Sequence, residues 1–294
     1  MLPWHYNIPF FCIFLCMTAG ILMPLLRKGR ASFYLTLCVC FTVTSLSAAL
    51  CAILYTSGDS FTYQMGHFPA PWGNELFAGP LEALLATVFS LVMGLSLLGA
   101  RRAAAEDILE PKQSFYHVML CLLLAAMLAL SYTNDIFTGY VFIEISTIAA
   151  CAIVMARDTA HTTVATIRYL VISLLGSGLF LIGIVLMYGI TGHLLMPQIQ
   201  EEMLQIFANG EYTEPMTLVV GLLTVGVAIK SALFPFHAWL PQAHGSATTT
   251  SSAVLSGLVL KAYIILLVKV FYRCFTIEII RSLRVTNVMF VFGV

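Results

Sequence analysis

Three ionisable side chains stand inside stretches otherwise rich in Val, Leu, Ile, Gly and Ala: Glu144 in "YVFIEISTIAACAIV", Lys230 in "VAIKSALFPFHAW" and Lys261 in "SGLVLKAYIILL". Pro235, His237 and His244 lie between the two lysines. A carboxylate and two amines share one chemistry: each takes up and releases a proton, and each alters the proton affinity of the others by its charge. In hydrocarbon a lone charge costs roughly 2.5–3.5 kcal/mol even on lenient insertion scales, so such groups pair with one another or line a path for protons or ions. The competing reading is a buried ion pair that only fixes helix packing. Three charges at one level beside a broken helix favour the path.

Depth supports a common level. Glu144 lies nine residues after Asp135, which at ~1.5 Å per residue is about 13 Å into a helix. Lys230 precedes a turn beginning near residue 240, and Lys261 follows its end near 250, so both lie about 15–17 Å from the same surface. Pro235 lacks an amide hydrogen and its ring clashes with the preceding turn, so the helix carrying Lys230 should unwind, freeing carbonyls and admitting water. His237 is a candidate relay, because an ordinary imidazole titrates near pH ~6.5. His244, in the turn, is a second candidate. For both, the plainer reading is a hydrogen-bonded polar residue.

These residues need a membrane around them, and the composition supplies one. The 294 residues are 60% hydrophobic and 10% charged, against roughly 25% charged in soluble domains. Apolar runs recur at about the ~20-residue length that crosses a bilayer, which excludes a single anchor or a signal peptide alone. They lack the period-two alternation of barrel strands. The expected fold is therefore an all-α, polytopic transmembrane bundle. Spans are read at 8–26, 33–55, 76–99, 115–132, 136–155, 166–190, 216–240 and 251–272, with a ninth beginning near 285. That makes eight complete helices, the seventh broken.

Lysine and arginine orient the stack. Arg27, Lys28 and Arg30 follow the first span, Arg101, Arg102 and Lys112 the third, and Arg157 and Arg168 the fifth, while loops 56–75 and 191–215 contain neither residue. The basic loops are thus cytoplasmic and the N-terminus outside. Arg273, Arg281 and Arg284 break this pattern and suggest an interfacial helix.

The outer loop "GDSFTYQMGHFPAPWGNE" reads as a hairpin or turn with Tyr63 and Trp72 as interface anchors. An amphipathic surface helix is expected near 196–208, and Ser173, Gly176, Ser177 and Gly178 are expected to allow close helix contact. "GSATTTSS" should cap the eighth helix. Asp135 reads as an outer cap or pathway mouth, Glu82 as interfacial or structural ahead of a part in transport, and Lys269 as a side chain that snorkels to the interface.

The eight cysteines form no C-x-x-C cluster and read as packing residues, so no metal or other cofactor is expected. Zero net charge with few basic residues argues against nucleic acid as a partner. The dispersed histidines give little support to a haem- or quinone-binding redox subunit.

"YVFIE", "IKSALFPFHAWLPQAH" and "SSAVLSGLVLKAY" closely resemble the antiporter-like membrane subunits shared by respiratory complex I (NADH:quinone oxidoreductase), membrane-bound hydrogenases and multisubunit sodium/proton antiporters of the Mrp type. "GHFPAPWG" is especially similar to the last two branches. The resemblance implies that Glu144, Lys230 and Lys261 form a polar axis, and His237 and His244 match the motif's histidines. Glu82 and Gln242 stand where Asp is usual, and the Thr/Ser run 248–252 replaces a Pro-rich stretch, implying a different cytoplasmic entrance. The family has about fourteen helices in two inverted repeats, whereas this chain ends at Val294. The expectation is a truncated frame, a fragment or one half of a split subunit.

Three regions follow: residues 1–110 as a three-helix segment, 111–275 as a five-helix repeat carrying the path, and 276–294 as the start of a second repeat. The implied function is a proton-translocating or cation/proton-antiporting subunit of the cell's inner or plasma membrane, assembled with other membrane subunits in the lipid bilayer. Protons, and possible sodium ions, are its cargo. A non-transporting scaffold is the alternative.

Overall fold

The computed structural model describes residues 4–26, 29–68, 73–210 and 213–293. Long apolar runs in a chain with few glycine or proline interruptions form helices, because in lipid only local hydrogen bonding satisfies every amide. The first are α1 (Ile8–Leu26) and α2 (Gly29–Ser57). The loop expected on the outer side forms an antiparallel hairpin, β1 (Phe61–Gln64) with β2 (Glu75–Ala78), Phe61 opposite Ala78. Trp72, the expected interface anchor, lies outside the described residues. Residues 76–78, read as the start of the third span, belong to this hairpin.

Helix α3 (Pro80–Gly99) begins with a proline, whose missing amide costs nothing at a helix start, and the Gly79 N–H donates to the Glu82 carboxylate at 3.2 Å. A short α4 (Arg101–Asp107) leads to α5 (Glu110–Tyr132). Helix α5 is the centre of the bundle, with 78% of its most apolar window buried against 33–61% in the other spanning helices. It packs on α1, α2, α3 and the next helix, α6 (Ile136–Val154). Asp135 caps α6, accepting from the Thr138 N–H at 2.6 Å.

Helix α7 (Ala160–Thr191) is capped by Thr159 and stops at Gly192, whose φ of 72° suits glycine. The surface helix is present as α8 (Met196–Asn209), which buries Met196, Ile199 and Met203 along one stripe. Helix α9 (Thr213–Lys230) lies tightly along α7. A Cβ on Gly176 would stand 2.8 Å from the Gly226 carbonyl oxygen, and one on Gly226 would stand 2.7 Å from that of Gly176. Gly178 meets nothing within 4 Å and is not part of this contact, contrary to expectation.

The chain breaks where Pro235 predicts a break, but earlier than the proline itself. Helix α9 ends at Lys230, and a bend through Ala232 and Pro235 leads by a 3-10 turn (Phe236–Trp239) into α10 (Leu240–Ser246). Thr248 caps α11 (Thr249–Val254), accepting from the Ser251 N–H at 3.2 Å. A π-helical segment, Leu255–Val259, joins α11 to α12 (Leu260–Val270). A second π segment, Phe271–Phe275, precedes α13 (Ile277–Ser282), the short helix at the site of the anomalous arginines, and α14 (Val285–Gly293).

Among the described residues, seven helical segments are long and apolar enough to cross a membrane, and the broken α9–α10 unit packs among them. The chain is a multi-pass membrane protein.

Lys269 departs from expectation. It does not snorkel: its side chain is 8% exposed, donates to the Ser131 carbonyl at 2.8 Å and lies 4.0 Å from the Glu82 carboxylate. Glu82 is buried with it. The Lys269 position faces the α3–α5 side of the bundle, so reaching the surface would mean leaving that packing. Arg273 finds the Phe77 ring, 3.7 Å from its guanidinium carbon.

Candidate functional site

Lys230 is the last residue of α9, so its backbone stands where the helix opens while its side chain enters the bundle. It is 2% exposed. Its ammonium donates to the Thr147 hydroxyl at 2.6 Å and to the Glu144 carboxylate at 3.4 Å, both on α6. Glu144 and Thr147 are three residues apart and therefore share a helix face. The Glu144 side chain is 24% exposed, so the pair is sealed at its lysine end and open at its carboxylate end.

The Tyr263 ring lies 5.8 Å from the ammonium, and its hydroxyl bonds the Ser146 hydroxyl at 2.8 Å. Behind Lys230, Trp239 stacks on Tyr169 at 4.6 Å and its Nε1 donates to the Ile229 carbonyl at 3.3 Å. The same carbonyl also accepts from the Ala232 N–H at 3.3 Å, so it is met twice at the break.

The three charges do not converge. Glu144 and Lys230 meet, but Lys261 is exposed and, among the described residues, makes no hydrogen bond or ion pair. The expected inward orientation of Lys261 is not observed. Tyr263, two residues further on α12, faces inward instead, because a step of two on a helix turns to the opposite side.

His244 lies beside the α11–π junction. Its Nδ1 bonds the Ser252 hydroxyl at 2.7 Å and its Nε2 the Ser256 hydroxyl at 3.2 Å. His237 is exposed and stacks on Phe234 at 5.7 Å. Near this turn Arg168 donates to Gln242 at 2.6 Å. Asp135, at the opposite end of α6, is raised above the ordinary carboxylate range by burial, against the lowering effect of the Thr138 N–H.

Sequence reasoning missed Thr147, Ser146, Tyr263 and the serines on His244. Thr147 carried a signal, its i+3 spacing from Glu144. Tyr263 carried none, since its partner is on another helix. Among the described residues no group of three or more His, Cys, Asp or Glu is arranged to hold a metal.

A multi-pass helical bundle with a buried lysine–glutamate pair at the end of a broken helix defines a class of polytopic membrane protein with an ion pair in its interior. Residues 133–293 match the family described as NADH:quinone oxidoreductase/Mrp antiporter, transmembrane, and the chain belongs to it. NADH-quinone oxidoreductase subunit N of Desulforudis audaxviator is 28% identical over 263 residues, covering 86% of this chain and 51% of that protein. A Na(+)/H(+) antiporter subunit of Bacillus subtilis is 28% identical over 230 residues, covering 78% and 45%. A chain of the membrane-bound sulfane sulfur reductase, an archaeal respiratory membrane complex, superposes with a TM-score of 0.82 at 26% identity, covering 92% of this chain and 54% of that one. A chain of the Mrp complex from Dietzia sp. shares the fold, with a TM-score of 0.81 at 23% identity, covering 93% and 50%. The chain spans about half the length of the curated relatives it matches.

Proposed function

We propose that this chain is a proton-translocating, or cation/proton-antiporting, membrane subunit of a redox-driven or multisubunit antiporter complex in the cell's inner or plasma membrane. Its partners are other membrane subunits of that complex and its cargo is protons or sodium ions. The observation that carries the reading is the Lys230 ammonium, 2% exposed and 3.4 Å from Glu144 at the mouth of the helix break.

The mechanism is electrostatic switching. A carboxylate close to a buried amine favours the ammonium, and one moved away leaves burial to favour the neutral amine, so a change in the Lys230–Glu144 distance loads or releases a proton. Thr147 keeps the amine in place during that change. His237 and His244 stand toward the entrance, the first exposed and the second in the Ser252/Ser256 cradle. Lys261, exposed on α12, takes the proton onward. An unpaired ammonium at that depth is costly against lipid, so this face is covered or hydrated in the working assembly.

The test is proton uptake into vesicles, measured against turnover of the intact complex, for Glu144→Gln. Uptake should fall by about tenfold or more with assembly retained, since Gln keeps the shape but carries no charge to shift the proton affinity of Lys230. Unchanged uptake would leave Glu144–Lys230 as a packing pair in a non-transporting scaffold.

A further inference from the structure

The basic ends of α2, α4 and α5 enclose a cavity of about 250 Å³, distinct from the Lys230 site. Arg30, Arg101 and Arg102 line it, and none of the three makes an ion pair among the described residues. Arg101 is held in place. Its guanidinium carbon lies 5.2 Å from the Phe33 ring centre and 5.3 Å from that of Tyr34, and it donates to the Tyr34 hydroxyl at 2.9 Å. A guanidinium fixed by stacking presents its remaining donors at reduced entropic cost to a planar or tetrahedral oxyanion.

The cavity also carries an unmet acceptor. His117, only 7% exposed, lines it, and its Nδ1 lies 2.7 Å from the Gln113 carbonyl oxygen. A carbonyl only accepts, so Nδ1 carries the proton and the neutral ring's Nε2 is an acceptor. That nitrogen is buried and has no hydrogen-bond partner among the described residues. An ammonium could donate to it, but three guanidinium groups at the same cavity oppose a further cation. A hydroxyl meets it without charge.

We propose that this cavity binds the headgroup of an anionic glycerophospholipid, with the phosphodiester among Arg30, Arg101 and Arg102 and a headgroup hydroxyl donating to His117 Nε2. Basic pockets between membrane helices recognise anionic headgroups by the same charge complementarity. The acyl chains have a surface to follow: Tyr34 and Phe41 of α2, and Leu91, Leu95 and Leu98 of α3, are exposed along two helices that pack together. A soluble phosphate ester would satisfy the arginines equally but gain nothing from that apolar face.

The test is native mass spectrometry of the full purified chain in detergent. The probes are phosphatidylglycerol, phosphatidylethanolamine, phosphatidylcholine and phosphatidic acid with identical acyl chains, together with soluble glycerol 3-phosphate. Phosphatidylglycerol should bind about tenfold more tightly than either zwitterionic lipid, and the double variant Arg101→Gln/Arg102→Gln should cut that preference to about threefold or less. Lys112→Gln, an exposed basic residue outside the cavity, should leave the preference intact. His117→Phe should reduce the preference for phosphatidylglycerol over phosphatidic acid, which lacks the headgroup hydroxyls. Circular dichroism of each variant checks that the helices persist, and the His117→Phe comparison stands if the arginine variant does not fold. Equal binding of phosphatidylglycerol and phosphatidylcholine, or a preference that survives the double variant, would overturn the proposal. So would glycerol 3-phosphate binding as tightly as the lipid, which would make this a soluble phosphate-ester site.

Discussion

The Lys230 ammonium lies nearer the Thr147 hydroxyl, at 2.6 Å, than the Glu144 carboxylate, at 3.4 Å. The neutral partner is the closer one. In the proposed switch the hydroxyl is therefore the fixed end of the site and the carboxylate the adjustable one.

Replacing Thr147 by Val should remove this anchor while keeping the shape. A hydrogen bond to a charged group contributes about 1.5–3 kcal/mol, so proton uptake per turnover should fall several-fold while assembly persists. Vesicle uptake measured beside complex yield checks it, and wild-type uptake would remove Thr147 from the mechanism.

The α7–α9 contact sets where Lys230 stands. A side chain at Gly226 must push against the Gly176 carbonyl, and forced overpacking of this kind costs about 1–3 kcal/mol. Gly226→Val should lower the thermal unfolding temperature and weaken transport together, whereas Gly178→Ala, with open space around it, should change neither. Equal effects of the two substitutions on unfolding would contradict the packing account.

Glu82 and Lys269 form a second buried pair, with side chains 9% and 8% exposed. Glu82→Gln leaves the ammonium buried without its carboxylate and should destabilise the chain by about 3–5 kcal/mol, while Glu82→Gln combined with Lys269→Met should recover part of the loss. Thermal unfolding in detergent reads both. A double variant less stable than the single would show that Lys269 contributes through Ser131 alone.

Much of this architecture was legible from residue type and order. Helical runs, the hairpin, the surface stripe of α8 and the Thr248 cap each follow from local periodicity or turn chemistry, which the chain encodes within a few residues. The Lys230–Glu144 meeting was legible from depth, since counting residues from a helix end gives height in the membrane. Azimuth was not. Lys261 is exposed while Tyr263, two residues on, faces inward, and which face of α12 packs is set by tertiary contacts that a count of residues from a helix end does not give. Lys269 was misread for a related reason: proximity to a helix end suggested the surface, but its partners Glu82 and Ser131 come from α3 and α5, and only tertiary packing brings them to it.

Lys230→Arg tests most directly whether Lys230 gives up its proton. Arginine keeps the positive charge beside Glu144 but does not release a proton in a protein. Proton uptake per turnover of the intact complex in vesicles should fall to near that of Lys230→Ala, with both variants assembled. Wild-type uptake per turnover by the Lys230→Arg complex would make Lys230 a fixed counter-charge and end the relay assignment.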